Sequence, residues 1–173
     1  MANEDVQHLR PRDFVRESTT GNDGSLSLAA TGDMMGLVFP KLANQGYTSS
    51  FVVPAELTMA TGLTFLIFVT DDGTNAADLG KVARFGITVK RIVSGTDSTD
   101  IDTGAATEAT VDITLSSTSG VVVAGSIAIA AAALDSIVVG NYALIRVRRI
   151  ADHANDTCNG RVLSPLGVYI KNT

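Results

Sequence analysis

Lys81-Val-Ala-Arg-Phe-Gly-Ile-Thr-Val-Lys-Arg-Ile-Val93 is the stretch on which the fold turns. Ala83, Phe85, Ile87 and Val89 fall on one side of an extended chain, while Arg84, Thr88 and Lys90 fall on the other. A period of two belongs to a β-strand, because successive side chains leave a pleated backbone in opposite directions. One apolar face and one polar face belong to a sheet buried on one side only.

The same alternation recurs on either side. In Thr110–Ser116, Val111, Ile113 and Leu115 oppose Thr110, Asp112 and Thr114. In Tyr142–Arg149, Ala143, Ile145 and Val147 alternate with Arg146 and Arg148. Leu63–Val69 is apolar on both faces, which predicts a central strand. Further short apolar segments are Leu26–Ala29, Met34–Phe39, Tyr47–Val53, Val121–Ile129 and Arg161–Lys171. Asp71–Asn75, Ser94–Asp100 and Gly140-Asn141 separate them with residues that tolerate turn conformations. About nine short strands with recurrent turns predict an all-β sandwich or jelly roll of roughly eight or nine antiparallel strands. The only helical stretch expected is a turn or two around Ala130–Leu134.

Composition agrees. Of 173 residues, 45% are apolar but only 5% aromatic, with no Trp, so the core must come from Val, Ile, Leu and Ala. Branched side chains suit a pleated surface. The length fits one domain. Residues 1–25 lack a sustained period and hold Arg10-Pro-Arg12-Asp-Phe14-Val-Arg16, so they read as an extended N-terminal arm ahead of a sandwich over 26–173. Phe14 and Val15 are what a docked arm would bury.

The net charge of −5 argues against a nucleic-acid binder. No apolar signal-type segment opens the chain, so synthesis in a cytoplasm is expected. Residues 113–134 are uncharged, but their apolar part, Val121–Leu134, is 14 residues long, short of a helical span. No membrane partner is expected. The single cysteine, Cys158, rules out a disulfide within the chain.

Asp152, His153, Asp156 and Cys158 gather in one polar loop, Ile150–Gly160. A thiol nucleophile needs an oriented base and an electropositive cleft, and a loop of this kind promises neither. Zinc needs four ligands, usually Cys or His, and the chain has one Cys and two His, with His8 far off in the arm. Asp71, Asp72 and Asp78, and Asp97, Asp100 and Asp102, make oxygen-rich loops that a Ca²⁺ ion would suit. Neither has EF-hand spacing, and solvated turn aspartates are the expectation. Hydrolase, Walker and dinucleotide motifs are absent. The four glutamates, Glu4, Glu17, Glu56 and Glu108, form no suggestive pair. Asn155-Asp-Thr157 fits the glycosylation pattern, which has meaning only in a eukaryotic secretory route. Arg146, Arg148, Arg149 and Arg161 read as a sheet face with cross-strand ion pairs. No catalytic residue, metal or cofactor is predicted, and the chain reads as a binding protein.

The second half resembles a recurring type of tailed-phage virion protein. The resemblance runs over residues 60–173, through Leu63–Val69, Lys81–Arg91, Gly95–Asp102 and Thr110–Leu115. It continues with Leu134-Asp-Ser136, Gly140-Asn141, Leu144–Arg149, Asp156-Thr157 and Gly160–Ile170. The resemblance implies a jelly-roll cement or decoration protein on a capsid surface. Its implied partners are the major capsid protein and further copies of itself, as a homotrimer. It implies that Arg149, Asp156 and Thr157 make the loop contacts that hold the fold, and it brings no catalytic residues. Arg10, Arg12, Phe14 and Arg16 are the arm residues expected to reach capsid or a neighbouring copy. The alternative is a tail-fibre or receptor-binding head domain that recognises a host-surface glycan.

Overall fold

Along β7 (Val82–Ile92) Ala83, Phe85, Ile87 and Val89 are sealed in the interior, but Gly86, Thr88 and Lys90 are buried as well, so the expectation of a strand covered on one side only fails over Phe85–Lys90. The computed structural model describes residues 7–16, 27–28, 35–41, 46–73, 76–97 and 108–173. Before β7 come β1 (Gln7–Leu9), β2 (Val15–Arg16), β3 (Ser27–Leu28), β4 (Met35–Phe39), β5 (Gly46–Val52) and β6 (Leu63–Asp71). After it come β8 (Ala109–Thr114), β9 (Val123–Ile129), β10 (Tyr142–Arg149), β11 (Val162–Ser164) and β12 (Val168–Asn172).

Two antiparallel sheets result. In sheet 1, β6 pairs with β9 on one side and with β11 and β12 on the other; β4 then flanks β11, and β1 flanks β12. Sheet 2 runs β2-β5-β10-β7-β8. Apart from the β7–β8 hairpin, each step from β4 to β11 crosses from one sheet to the other. With β11 and β12 taken as one interrupted strand, this is the eight-strand, double Greek-key order of a jelly roll. Among the described residues no helix is long and apolar enough to cross a membrane.

β6 is central, as its two apolar faces predict. The stretch Arg161–Lys171, expected as one strand, breaks in two at Pro165-Leu-Gly167. Gly167 takes a left-handed φ of 72°, and a Cβ there would lie 2.1 Å from the Leu9 carbonyl oxygen. The break therefore makes room for β1. The helical turn predicted near Ala130–Leu134 is a single 3₁₀ turn, Ala131–Ala133.

The core between the sheets is aliphatic, built around Phe39, Phe65 and Phe85. Phe39 meets Tyr47 and Phe85 edge to face, both at 5.1 Å between ring centres, the geometry that ring quadrupoles favour.

The arm is part of the sandwich. β1 extends sheet 1 beside β12, and β2 extends sheet 2 beside β5. Leu9 and Phe14 are buried, and the Ser49 hydroxyl donates to the Asp13 carbonyl at 2.7 Å. His8 stacks on Tyr169 at 3.9 Å, and its Nε2 donates to the Leu166 carbonyl at 2.6 Å. Strands of two or three residues are too short to show a period, so the sequence reads them as patternless. The boundary placed at residue 26 lies outside the described residues.

Candidate interaction surface

The two ends of the sandwich differ in chemistry. At one end the loops after β6, β8 and β10 are tied down by buried polar groups. Arg149 ends β10 on the inward-facing register of Ile145 and Val147, so its side chain enters the interior and is fully buried. Its Nε and Nη2 donate to the two Asp156 carboxylate oxygens at 2.7 and 2.6 Å. The rest of the guanidinium donates to the carbonyls of Cys158 (2.5 Å), Gly160 (2.6 Å) and Phe39 (3.3 Å). Only a planar five-donor head can meet this set. Burial by itself would lower the Arg149 pKa; the hydrogen bonds and charge of Asp156 outweigh it, and the net direction is upward.

Asp156 also accepts from the Arg84 backbone N–H, and the Thr157 hydroxyl accepts from Val82 N–H at 3.0 Å. Arg149, Asp156 and Thr157 thus bind loop 150–160 to β10 and β7. Asp71 does similar work for loop 115–122. It accepts from Ser119 Oγ (2.6 Å), Gly120 N–H (2.8 Å), Gly73 N–H (2.9 Å) and Thr70 Oγ1 (3.3 Å). Burial pushes its pKa up, the four donors push it down, and the donors win. Asp78 accepts from Asn159 N–H at 2.6 Å, and Asp97 from Val93 N–H at 2.7 Å. Asp100 and Asp102 lie outside the described residues, as do Glu4 and Glu17. Among the described residues no group of three or more His, Cys, Asp or Glu side chains is arranged to hold a metal.

The polar loop does not assemble a nucleophile. Cys158 is fully buried beneath the Arg149 guanidinium, while His153 and Asp152 point to solvent. The His153 Nδ1 accepts from Asn155 N–H at 3.1 Å. Burial pushes the Cys158 thiol up to about 11, against the pull of Arg149. A thiol of that kind stays protonated and unreactive near neutrality.

The outer face of sheet 2 carries cross-strand ion pairs. Arg148 grips Glu108 with two hydrogen bonds of 2.5 and 2.6 Å, and Arg84 meets Asp112 at 2.6 Å. Gly86 lies between Arg148 and β8, and a Cβ there would strike the Glu108 side chain, so the glycine opens its path. Arg161 is mostly exposed, 3.9 Å from Asp72.

At the opposite end several apolar residues are exposed, alongside the polar turn residues Ser94, Thr96 and Asp97. Tyr142 opens β10 and pairs across with Val52 of β5 and Ile92 of β7. Val53 and the turn Val138–Asn141 exchange backbone hydrogen bonds, which ties that turn to the end of β5. Val93 follows Ile92. Val52 is 57% exposed and Val138 55%, with Val139, Tyr142 and Val93 also open to solvent. Scattered apolar residues are ordinary on a surface; five exposed at the same end of the sandwich make that end a candidate contact site. The loop beneath is held stiffly. Asp135 and Ser136 both take left-handed φ, 52° and 54°, and Asp135 accepts from Arg91 N–H at 2.8 Å. Two such residues in a row persist only where the surroundings enforce them.

The arm expectation needs a correction. Phe14 fills this chain's own core, so it is not a surface contact. Arg10 and Arg12 are exposed on the turn between β1 and β2. Arg16 lies in β2, with its side chain outside the described residues. The apolar end itself went unread. Its signal is Val138-Val139 directly before the Gly140-Asn141 turn, an apolar pair with no strand to bury it.

No protein-family model matches this chain, and no curated protein matches it.

Proposed function

We propose that the protein is a capsid cement or decoration protein of a tailed-phage virion, binding by protein–protein contact and not by catalysis. The observation that carries the reading is the apolar end: Val52, Val93, Val138, Val139 and Tyr142 exposed together on a jelly roll whose other end is locked. A preformed surface loses little entropy on binding, which suits a protein that must stay attached to a shell. The buried Cys158 thiol and the fully engaged Asp71 carboxylate support binding over chemistry. Its partners are the major capsid protein and further copies of itself.

The test is co-sedimentation with tailed-phage heads assembled without the protein, followed by imaging. The chain should coat the head shell and raise the temperature at which heads rupture. Val52→Asp with Val138→Asp should abolish coating while leaving the melting temperature of the free protein within a few degrees. Coating undiminished by that pair would remove the apolar end from the reading.

A second reading, a glycan-recognising head domain, is favoured by one observation. Tyr142 presents a half-exposed ring whose hydroxyl lies 2.9 Å from Ser50 Oγ, a pairing that can stack on and hydrogen-bond a sugar. Binding on a glycan array, lost in Tyr142→Ala, would decide for it.

A further inference from the structure

β9 is the free edge of sheet 1, and among the described residues only β6 pairs with it. An edge strand offers a row of unpaired N–H and C=O groups, and folded proteins normally blunt it with charge, proline, a bulge or shortness. The other free edges are blunted. β1, β2 and β3 are two or three residues long. β8 carries Asp112, which Arg84 and Asn155 hold at 2.6 and 2.7 Å along that edge. β9 runs for seven residues with no proline, and the whole span 113–134 has no charge.

We infer that β9 pairs with β9 of a second copy, antiparallel, about a two-fold axis at Ser126. A two-fold axis brings the strand against itself, so any charge on it would meet its like. β9 has none to repel. With Ser126 at the centre, Ala124 faces Ala128 of the partner subunit, and all seven residues overlap. Inward-facing Gly125, Ile127 and Ile129 are already buried, while Ala124, Ser126 and Ala128 are exposed and too small to hold a second backbone away. The two copies of sheet 1 then merge into one continuous sheet. The resulting assembly is a closed dimer, in place of the homotrimer that the resemblance implies. This deepens the self-association proposed above, and its test uses no capsid, so either can fail alone.

Sedimentation equilibrium of the full chain is expected to give twice the 18.0 kDa chain mass. Ser126→Lys should halve that mass, leave a cooperative unfolding transition, and make the melting temperature independent of protein concentration. Ser126→Cys should form a disulfide-linked dimer under mild oxidation, since the native Cys158 is buried and cannot compete. Thr114→Cys, exposed on the β8 edge, should not. A single-chain or trimeric mass for the unmodified protein would overturn the inference. So would a dimer of unchanged mass in Ser126→Lys, or no cross-link in Ser126→Cys. A single-chain mass together with capsid binding lost in Ser126→Lys would assign the edge to a capsid strand instead.

Discussion

Arg149 and Asp156 meet fork to fork with neither side chain exposed, 2.7 Å from Nε to Oδ2 and 2.6 Å from Nη2 to Oδ1. This pair is one of the contacts by which β10 holds the loop that carries the chain back to sheet 1. Removing either partner strands the other charge in the interior. Arg149→Met or Asp156→Leu is expected to cost about 3–5 kcal/mol, read as the shift in a urea unfolding curve. Arg149→Lys should cost nearly as much, because one ammonium cannot reach five acceptor oxygens. The double replacement Arg149→Met with Asp156→Leu should recover much of the loss, and additive losses would contradict this account.

At Gly167 the Leu9 carbonyl of the arm leaves no room for a Cβ. In Gly167→Ala the new Cβ would meet the Leu9 carbonyl from a left-handed backbone. The arm should detach from β12 before the sandwich unfolds. Hydrogen exchange at Gln7–Leu9 should speed up at least ten-fold while β7 and β10 stay protected. Equal acceleration in all of them would show that the glycine supports the whole fold.

The pH dependence follows from Asp71. Its folded pKa lies below the ordinary value of 3.8, because its donors prefer the carboxylate. Its contribution is therefore fully present above about pH 4 and is lost as pH falls through the folded value. Asp71→Asn should lower stability at neutral pH and flatten the acid limb of the stability curve. An unchanged acid limb would exclude the residue as a source of acid sensitivity.

Calcium has no free seat at Asp71, because both of its oxygens already accept from nearby N–H and O–H groups. A chelator should leave the melting temperature unchanged. A fall of several degrees would show that a metal holds one of the aspartate loops.

Cys158 should be slow to react with a thiol reagent in the native protein and fast once denaturant unfolds it. Its folded pKa of about 11 and full burial both require this. Rapid labelling of the native protein would mean that loop 150–160 opens readily.

The sequence by itself determined the sandwich and its central strand. Period-two alternation in Lys81–Val93, Thr110–Ser116 and Tyr142–Arg149 is imposed residue by residue by the pleat, so no partner need be known to see it. Arg149 shares the inward register of Ile145 and Val147, yet its charge makes it read with Arg146, Arg148 and Arg161 as part of a sheet face; only the folded chain shows that it is buried, with Asp156 and three carbonyls to receive it. Tertiary structure alone decided the rest. Strand pairing depends on contacts between residues far apart in the chain, which fixed the jelly-roll order, the two short arm strands and the split at Gly167. It also decided which apolar residues stay outside. Val138 and Val139 fall in no segment read as a strand, and only the folded chain shows them exposed next to the end of β5. Burial belongs to a residue's neighbours in space, and local sequence does not name them.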